Sequence, residues 1–245
     1  AHASGAGWGS RQSPSNYMYN QIGKFWVFGD AFCKALFLGG VTRRFPELNI
    51  GFMEGGVGWA ATLFADLVGR WEKRGAHAIR DLDPKNLNRE VIHELLQQYP
   101  LGTEAVTTEQ ILEDMVRFQP HPEELDDWRA CGLDRREDLY DLFVPRFYFG
   151  CEADDPMNHC AFNTKANPFG ARLNAMFGSD IGHWDVPDMA DVLTEAYEMV
   201  EKGIVSGEDF KDFAFSNVVR FYGEMNPDFY KGTRVEGDAA KLLAR

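Results

Sequence analysis

The 245-residue sequence has few cysteines: Cys33, Cys131, Cys151 and Cys160 are widely spread, and no two form a Cys-x-x-Cys pair. This spacing argues against a zinc ribbon and against a disulfide framework, because the cysteines of both kinds of site recur in close groups. Unpaired cysteines are typical of a reducing compartment, and we therefore expect a cytoplasmic protein.

The sequence also lacks an apolar run long enough to span a bilayer, because Asp30 and Lys34 interrupt the apolar segment 25–38. Its first residues show no signal-peptide pattern, and there is no initial Met. They form a Gly- and Ser-rich stretch that is typical of a loop inside a domain. We therefore expect an N-terminal part of the protein to precede residue 1.

Positive charge is in deficit, with 25 Lys and Arg against 38 Asp and Glu and a formal net charge of −13. This balance argues against nucleic-acid binding, since phosphate backbones select Lys and Arg, and it disfavours an anionic membrane surface. A solubilising acidic surface accounts for most of the excess. Nucleophile-elbow, P-loop and H-E-x-x-H motifs are absent too, which removes three common enzyme classes.

What is present is the pattern of a parallel α/β protein, in which short apolar strands alternate with amphipathic helices. We predict strands at 48–53, 145–150 and 174–177, and helices at 15–38 (one helix, or two joined near Gly29), 59–74, 189–202 and 207–222. A polar segment at about 75–143 interrupts the pattern as a structural insertion or a lid. Its predicted helices are 88–98, 107–117 (capped by Thr107 or Thr108) and 122–130. Residues 226–245 form a polar tail.

Three carboxylates follow the predicted strands directly: Glu54, Glu152 and Asp180. In parallel α/β folds, ligands and catalytic groups collect at the carboxyl ends of the strands. A carboxylate in that position can bind a cation or move a proton. Each of the three could instead cap the next helix or pair with an Arg, but all three occurring together favours a site.

Two histidines are the imidazole candidates for this site. His183 closes the segment Gly178-Ser179-Asp180-Ile181-Gly182-His183, and carboxylate with imidazole is ligand chemistry for a divalent cation. His183 could also bind substrate, shuttle protons or orient Asp180; a plain structural histidine is the alternative. If the preceding chain ends in a strand, His2 lies at the carboxyl end of that strand and is a further candidate ligand.

Two segments carry a resemblance to a known family. Arg44-Phe45-Pro46-Glu47-Leu48 leading to Phe52-Met53-Glu54-Gly55-Gly56-Val57-Gly58-Trp59, and Gly178-Ser179-Asp180 followed by Gly182-His183, are similar to the amidohydrolase-related family that includes aminocarboxymuconate-semialdehyde decarboxylase. The resemblance implies the C-terminal part of a (β/α)₈ TIM-like barrel, here a single domain over residues 1–245. It also implies a divalent metal (zinc first, then manganese or iron) and hydrolysis or decarboxylation of a small carboxylated or cyclic molecule.

The resemblance assigns roles to residues of this chain. His2 and Asp180 match metal-binding positions, and Glu54 matches a position whose residue activates water or substrate and could still act as a ligand. From the residues themselves we expect Glu54, Asp180 and His183 to be the catalytic groups. We also expect Trp8, Trp59, Glu152 and Trp184 (with Phe169) to line the substrate pocket. The sequence departs from the family twice: Glu54 stands where the family usually has His, and the family's first-strand His-x-His pair does not occur.

Two alternatives stay open at this point. The chain could be a metal-free barrel enzyme that uses Glu54 and Asp180 for acid–base chemistry, or a non-catalytic barrel relative that binds a small molecule or serves in an assembly. Dimers are common among such barrels, so a homodimer is a possible state.

Overall fold

The computed structural model describes residues 13, 15–75, 78–83, 86–99, 107–117 and 125–244. Two residues expected at the site, His2 and Trp8, lie outside these ranges. Among the described residues, none of the helices combines the length and the apolar character needed to cross a membrane.

The centre of the fold is a parallel sheet of three short strands, β1 (Ile50–Phe52), β2 (Phe147–Cys151) and β3 (Asn174–Phe177), in the order β1-β2-β3. Phe52 pairs with Phe149, and Phe149 pairs with Ala175, so the carboxyl ends of all three strands lie at one edge. The three strands predicted from the sequence are confirmed to within two residues. Their parallel pairing requires long crossover connections, which the intervening helices provide.

The helices of the described chain surround this sheet. They are α1 (Tyr17–Gln21), α2 (Lys24–Leu38), α3 (Val41–Arg44), α4 (Gly58–Arg74), α5 (Arg89–Gln98), α6 (Thr108–Arg117), α7 (Asp138–Phe143), α8 (Val192–Glu201), α9 (Gly207–Lys211), α10 (Asn217–Gly223) and α11 (Glu236–Leu243). A π-helical turn at Asp212–Ser216 makes α9 and α10 continuous. Thr107 caps α6 as predicted, because its Oγ1 accepts from Gln110 N at 3.2 Å.

Aromatic residues build the main core on one face of the sheet. Phe52, Phe147 and Phe149 point to this face and pack against Phe143 of α7 and Trp59 of α4, with ring centroids 5.0–6.4 Å apart. Alternate residues of a strand point to opposite faces, so the sequence Phe147-Tyr148-Phe149 sends its two phenylalanines to the core and its tyrosine to the other side.

The prediction of a TIM-like barrel is wrong for the described residues. A barrel closes its sheet on itself and fills its interior with side chains from facing strands. Here the second face of the three-stranded sheet carries Tyr148 and Met176, and Phe221 of α10 covers them, with the Tyr148 and Phe221 rings 5.1 Å apart. A helix, rather than an opposite wall of strands, buries this face.

Three smaller expectations also need correction. The helix pattern at 15–38 breaks at Gly23, which has a φ of 76°, and not near Gly29. The described part of 122–130, residues 125–130, contains no helix, and residues 127–130 form a turn. The polar tail holds a helix, α11, which buries Ala239 and packs on α10. Within the described residues of 75–143, structure is helical or irregular and contains no strand.

Candidate metal centre

The loops that follow β1 and β3 are both tied to the central strand. Gly56 N donates to Gly150 O at 3.2 Å, and Gly178 N donates to Cys151 O at 2.8 Å. A side-chain carbon on Gly178 would lie 3.1 Å from Cys151 O, so only glycine permits this approach without a shift. These two hydrogen bonds bring Glu54 and Asp180 toward each other across the end of β2.

Glu54, Asp180 and His183 meet at this edge of the sheet. One possible donor atom from each lies within 4.8 Å of the other two. His183 Nδ1 lies 2.9 Å from Asp180 Oδ1. Without a cation this contact is a hydrogen bond that Nδ1 donates, because an ionised carboxylate only accepts. With a cation bound, the same two atoms are close enough together to be ligands of one ion.

The donor set fits a divalent metal by its chemistry. Zinc binds imidazole nitrogen and carboxylate oxygen at roughly 2.0–2.2 Å, so two of its donors lie at most about 4.4 Å apart. The donor atoms of this cluster all lie within 4.8 Å of one another, which is close to that size. The side chain of His183 is 56% exposed, which leaves its ring room to rotate. Three protein donors with an open side match the arrangement of catalytic zinc sites.

The backbone of both carboxylate residues is unusual. Glu54 has a φ of 60° and Asp180 a φ of 48°, and Phe169 is the remaining non-glycine residue with positive φ in the described chain. Such conformations cost on the order of 1–3 kcal/mol each and collect at functional sites. Two of the three described residues with this conformation therefore lie in one small cluster, and aspartate adopts it more readily than glutamate does.

A small cavity of about 220 Å³ opens beside the cluster. Its wall is largely apolar, and Glu54, Glu152 and Asp180 stand at it; the other lining residues are Met53, Gly150, Cys151, Met176, Phe177, Gly178, Val218 and Tyr222. The sequence pattern gave no signal for Val218 and Tyr222, because they come from α10, far along the chain from the strands. The sulphur of Met53 and Met176 and the ring of Tyr222 make this wall polarisable.

Glu152 follows β2 and therefore emerges between the two strained loops. Burial of its carboxyl group raises its pKa above the ordinary value, although the residue as a whole is exposed. The negative charges of Asp154, Asp180, Asp155 and Asp185 raise the pKa further. The carboxyl edge of the sheet therefore has a negative electrostatic potential, which favours the binding of a positive charge.

The structure does not bring the expected tryptophans to this cavity. Trp59 lies on α4 and lines a different cavity, of about 1170 Å³, together with Trp26 and Trp128. Trp184 is 79% exposed and contributes no wall to the smaller cavity. Phe169 packs with Phe64 and Tyr140 on the far side of the core. Of the expected pocket residues that the structure describes, only Glu152 lines the cavity at the cluster.

Comparison of the chain with protein-family models, with curated protein sequences and with solved structures returns no match in any of the three.

Proposed function

We propose that Glu54, Asp180 and His183 bind a divalent cation, zinc before manganese or iron, and that the chain serves as a metal-dependent hydrolase or decarboxylase of a small organic molecule. The observation that carries the proposal is the convergence of the three donor side chains at the carboxyl edge of a parallel sheet. The resemblance to the amidohydrolase-related family supports the reaction class. The proposal does not require the described residues to form a closed barrel.

Each residue has a task that follows from its geometry. Asp180 Oδ1 and His183 Nδ1 lie 2.9 Å apart and are the pair of donor atoms that would face the cation together. Glu54, on the opposite loop, supplies a second carboxylate that can bind the cation or take a proton from water or substrate. When bound, the cation supplies Lewis-acid activation of a substrate oxygen or of water. The apolar cavity holds the body of the substrate.

Metal content is the experiment that tests the proposal. The purified protein, dialysed against zinc, manganese or iron and then against buffer, is assayed by elemental analysis beside Asp180→Asn and Glu54→Gln. Asp66→Asn, an exposed aspartate of α4, is the control. We expect about one metal per chain in the wild type and in the control, and at least roughly a 10- to 100-fold loss of affinity in the two site variants. A folded wild type that takes up no metal, or site variants that keep it, would contradict the proposal.

A second candidate is acid–base catalysis without a metal, and the Asp180–His183 pair favours it, because a carboxylate 2.9 Å from an imidazole can stabilise its protonated form. The same samples separate the two: turnover by a metal-free wild type that Asp180→Asn abolishes supports this candidate. The four cysteines are all free thiols, which supports our proposal of a cytoplasmic location.

A further inference from the structure

The residues that line the cavity beside the proposed metal centre favour one class of substrate. Its lining combines an apolar wall with three carboxylates, and no Lys or Arg of the described chain takes part in it. A carboxylated ligand would therefore lack a cationic side chain to pair with, and charged ligands are bound in proteins by groups of opposite charge.

The charges around the cavity also disfavour an anionic ligand. Asp154, Asp155 and Asp185 lie near enough to act on Glu152, in addition to the three carboxylates of the lining. One divalent cation cannot balance six carboxylates. His183 adds at most one positive charge, and Lys202, which is close enough to interact with Asp154, adds one more. The potential in the cavity remains negative with the metal site filled, which favours a cationic ligand and disfavours an anionic one.

Two aromatic rings also favour a cationic ligand. Phe177 at the end of β3 and Tyr222 of α10 both line the cavity. Tyr222 is held in place by stacking on Phe229, with ring centroids 4.5 Å apart and an interplanar angle of 7°. The faces of aromatic rings attract ammonium groups, and this attraction grows when water is excluded.

Resting on the proposed function of the same site, we propose that the natural substrate is a small amine: an ammonium group faces Glu152 and the ring of Tyr222, and an apolar body lies between Met53, Met176 and Val218. The volume of about 220 Å³ limits that body to roughly the size of a single ring, since it is smaller than the 300–1,000 Å³ of most ligand pockets. Of the reactions proposed above, the inference keeps hydrolysis and drops decarboxylation. Of the carboxylated or cyclic substrates that the family resemblance implies, it keeps only cyclic ones, as amines.

Three probes of one shape test the proposal: 4-fluorobenzylamine, 4-fluorobenzyl alcohol and 4-fluorobenzoate, which are a cation, a neutral molecule and an anion at pH 7. Their dissociation constants are measured by fluorine NMR on metal-free and on zinc-loaded protein. We expect the amine to bind at least about tenfold more tightly than the benzoate in both states, and this preference to shrink at high salt. Equal affinities, or a preference for benzoate, would overturn the proposal.

Variants locate the effect. Glu152→Gln should weaken amine binding by roughly three- to tenfold and leave the alcohol unchanged, whereas Asp66→Asn on α4 should change neither. Val218→Phe, which fills the cavity, should weaken all three probes. If Glu152→Gln leaves amine binding unchanged, the ammonium group does not face Glu152 and the proposal fails. Because the metal-free protein is tested as well, amine binding without metal uptake would refute the proposed metal centre alone, and metal uptake with a benzoate preference would refute this inference alone.

Discussion

Both ends of the sheet carry polar side chains, but these side chains are paired differently at the two ends. At the amino end, Asn174 Nδ2 donates to Val144 O at 2.6 Å, and Asn217 Nδ2 donates to Ala175 O at 2.8 Å. Arg172 forms ion pairs with Asp209 and Asp212 at 2.7 and 3.0 Å. At the carboxyl end, carboxylates gather with one another on strained backbone.

This difference separates structural from functional polarity. The groups at the amino end satisfy one another, as buried polar groups that serve stability do. The carboxyl end keeps like charges close, which costs stability unless a ligand compensates them. Both ends have cavities. The cavity at the amino end is lined by both guanidinium and carboxylate groups, whereas the charged groups that line the cavity at the carboxyl end are all carboxylates. The contrast, and not the presence of charge, points to the site.

The largest effect is expected at the amino end. Asn217→Ala removes the hydrogen bond to Ala175 O and leaves that buried carbonyl without its donor. We expect a loss of about 2–3 kcal/mol in the free energy of unfolding, measured by urea denaturation. Asn226→Ala, which removes only an exposed local hydrogen bond from Asp228 N to Asn226 Oδ1, is the control and should cost about 0.5–1 kcal/mol. A comparable small loss at Asn217 would show that this end is not the stabilising one.

The strained loop at the carboxyl end should respond in the opposite direction. Glu54→Gly relieves the positive φ of 60° and removes one of the clustered charges. We expect the free energy of unfolding to rise by about 1 kcal/mol while metal uptake is lost. Glu54→Ala removes the charge but keeps the strain, so the difference between the two variants measures the backbone contribution. A less stable Glu54→Gly variant would mean that the carboxylate of Glu54 contributes net stability.

The smallest effect concerns pH, and the two ends should differ in sign. The folded-state pKa of Glu152 is raised, chiefly by burial, so its ionisation destabilises the fold as the pH rises above the ordinary value of about 4.3. Burial alone would raise the pKa of Asp209 too, but hydrogen bonds from Ser206 and Arg172 lower it overall. Its contribution to stability is therefore present at neutral pH and is lost as the pH falls through the lowered pKa.

Urea denaturation of Glu152→Gln and Asp209→Asn between pH 7 and pH 4 checks this sign. At pH 7, Glu152→Gln should be more stable than the wild type by a fraction of 1 kcal/mol, because the exposed side chain is well screened. Asp209→Asn should be less stable than the wild type. The Glu152→Gln difference should vanish toward pH 4, whereas the Asp209→Asn difference should largely persist to pH 4 and shrink only below it, which a further measurement at pH 3 checks. Shifts of the same sign for the two variants would remove the distinction between the ends.

The sequence was sufficient for the local structure and for part of the site. The β-rich run Phe147-Tyr148-Phe149 and the apolar run at 174–177 locate two strands, and parallel strands place Glu54, Glu152 and Asp180 at one edge by geometry alone. Whether a sheet closes into a barrel depends on contacts between segments that are distant in the sequence. A local sequence pattern does not predict such contacts. The burial of Tyr148 by Phe221, and the entry of Tyr222 into the cavity, are contacts of that kind.

The place of Trp59 has an optical consequence. Its indole packs edge-on against Phe52 and Phe149, and its Nε1 is buried without a hydrogen-bond partner among the described residues. A side chain on Gly55, the neighbour of Glu54, would lie only 3.2 Å from that nitrogen. Indole emission is sensitive to the polarity of its surroundings. A displacement of the Glu54 loop therefore reaches Trp59 directly, and it should change the share of Trp59 in an intrinsic fluorescence to which six tryptophans contribute.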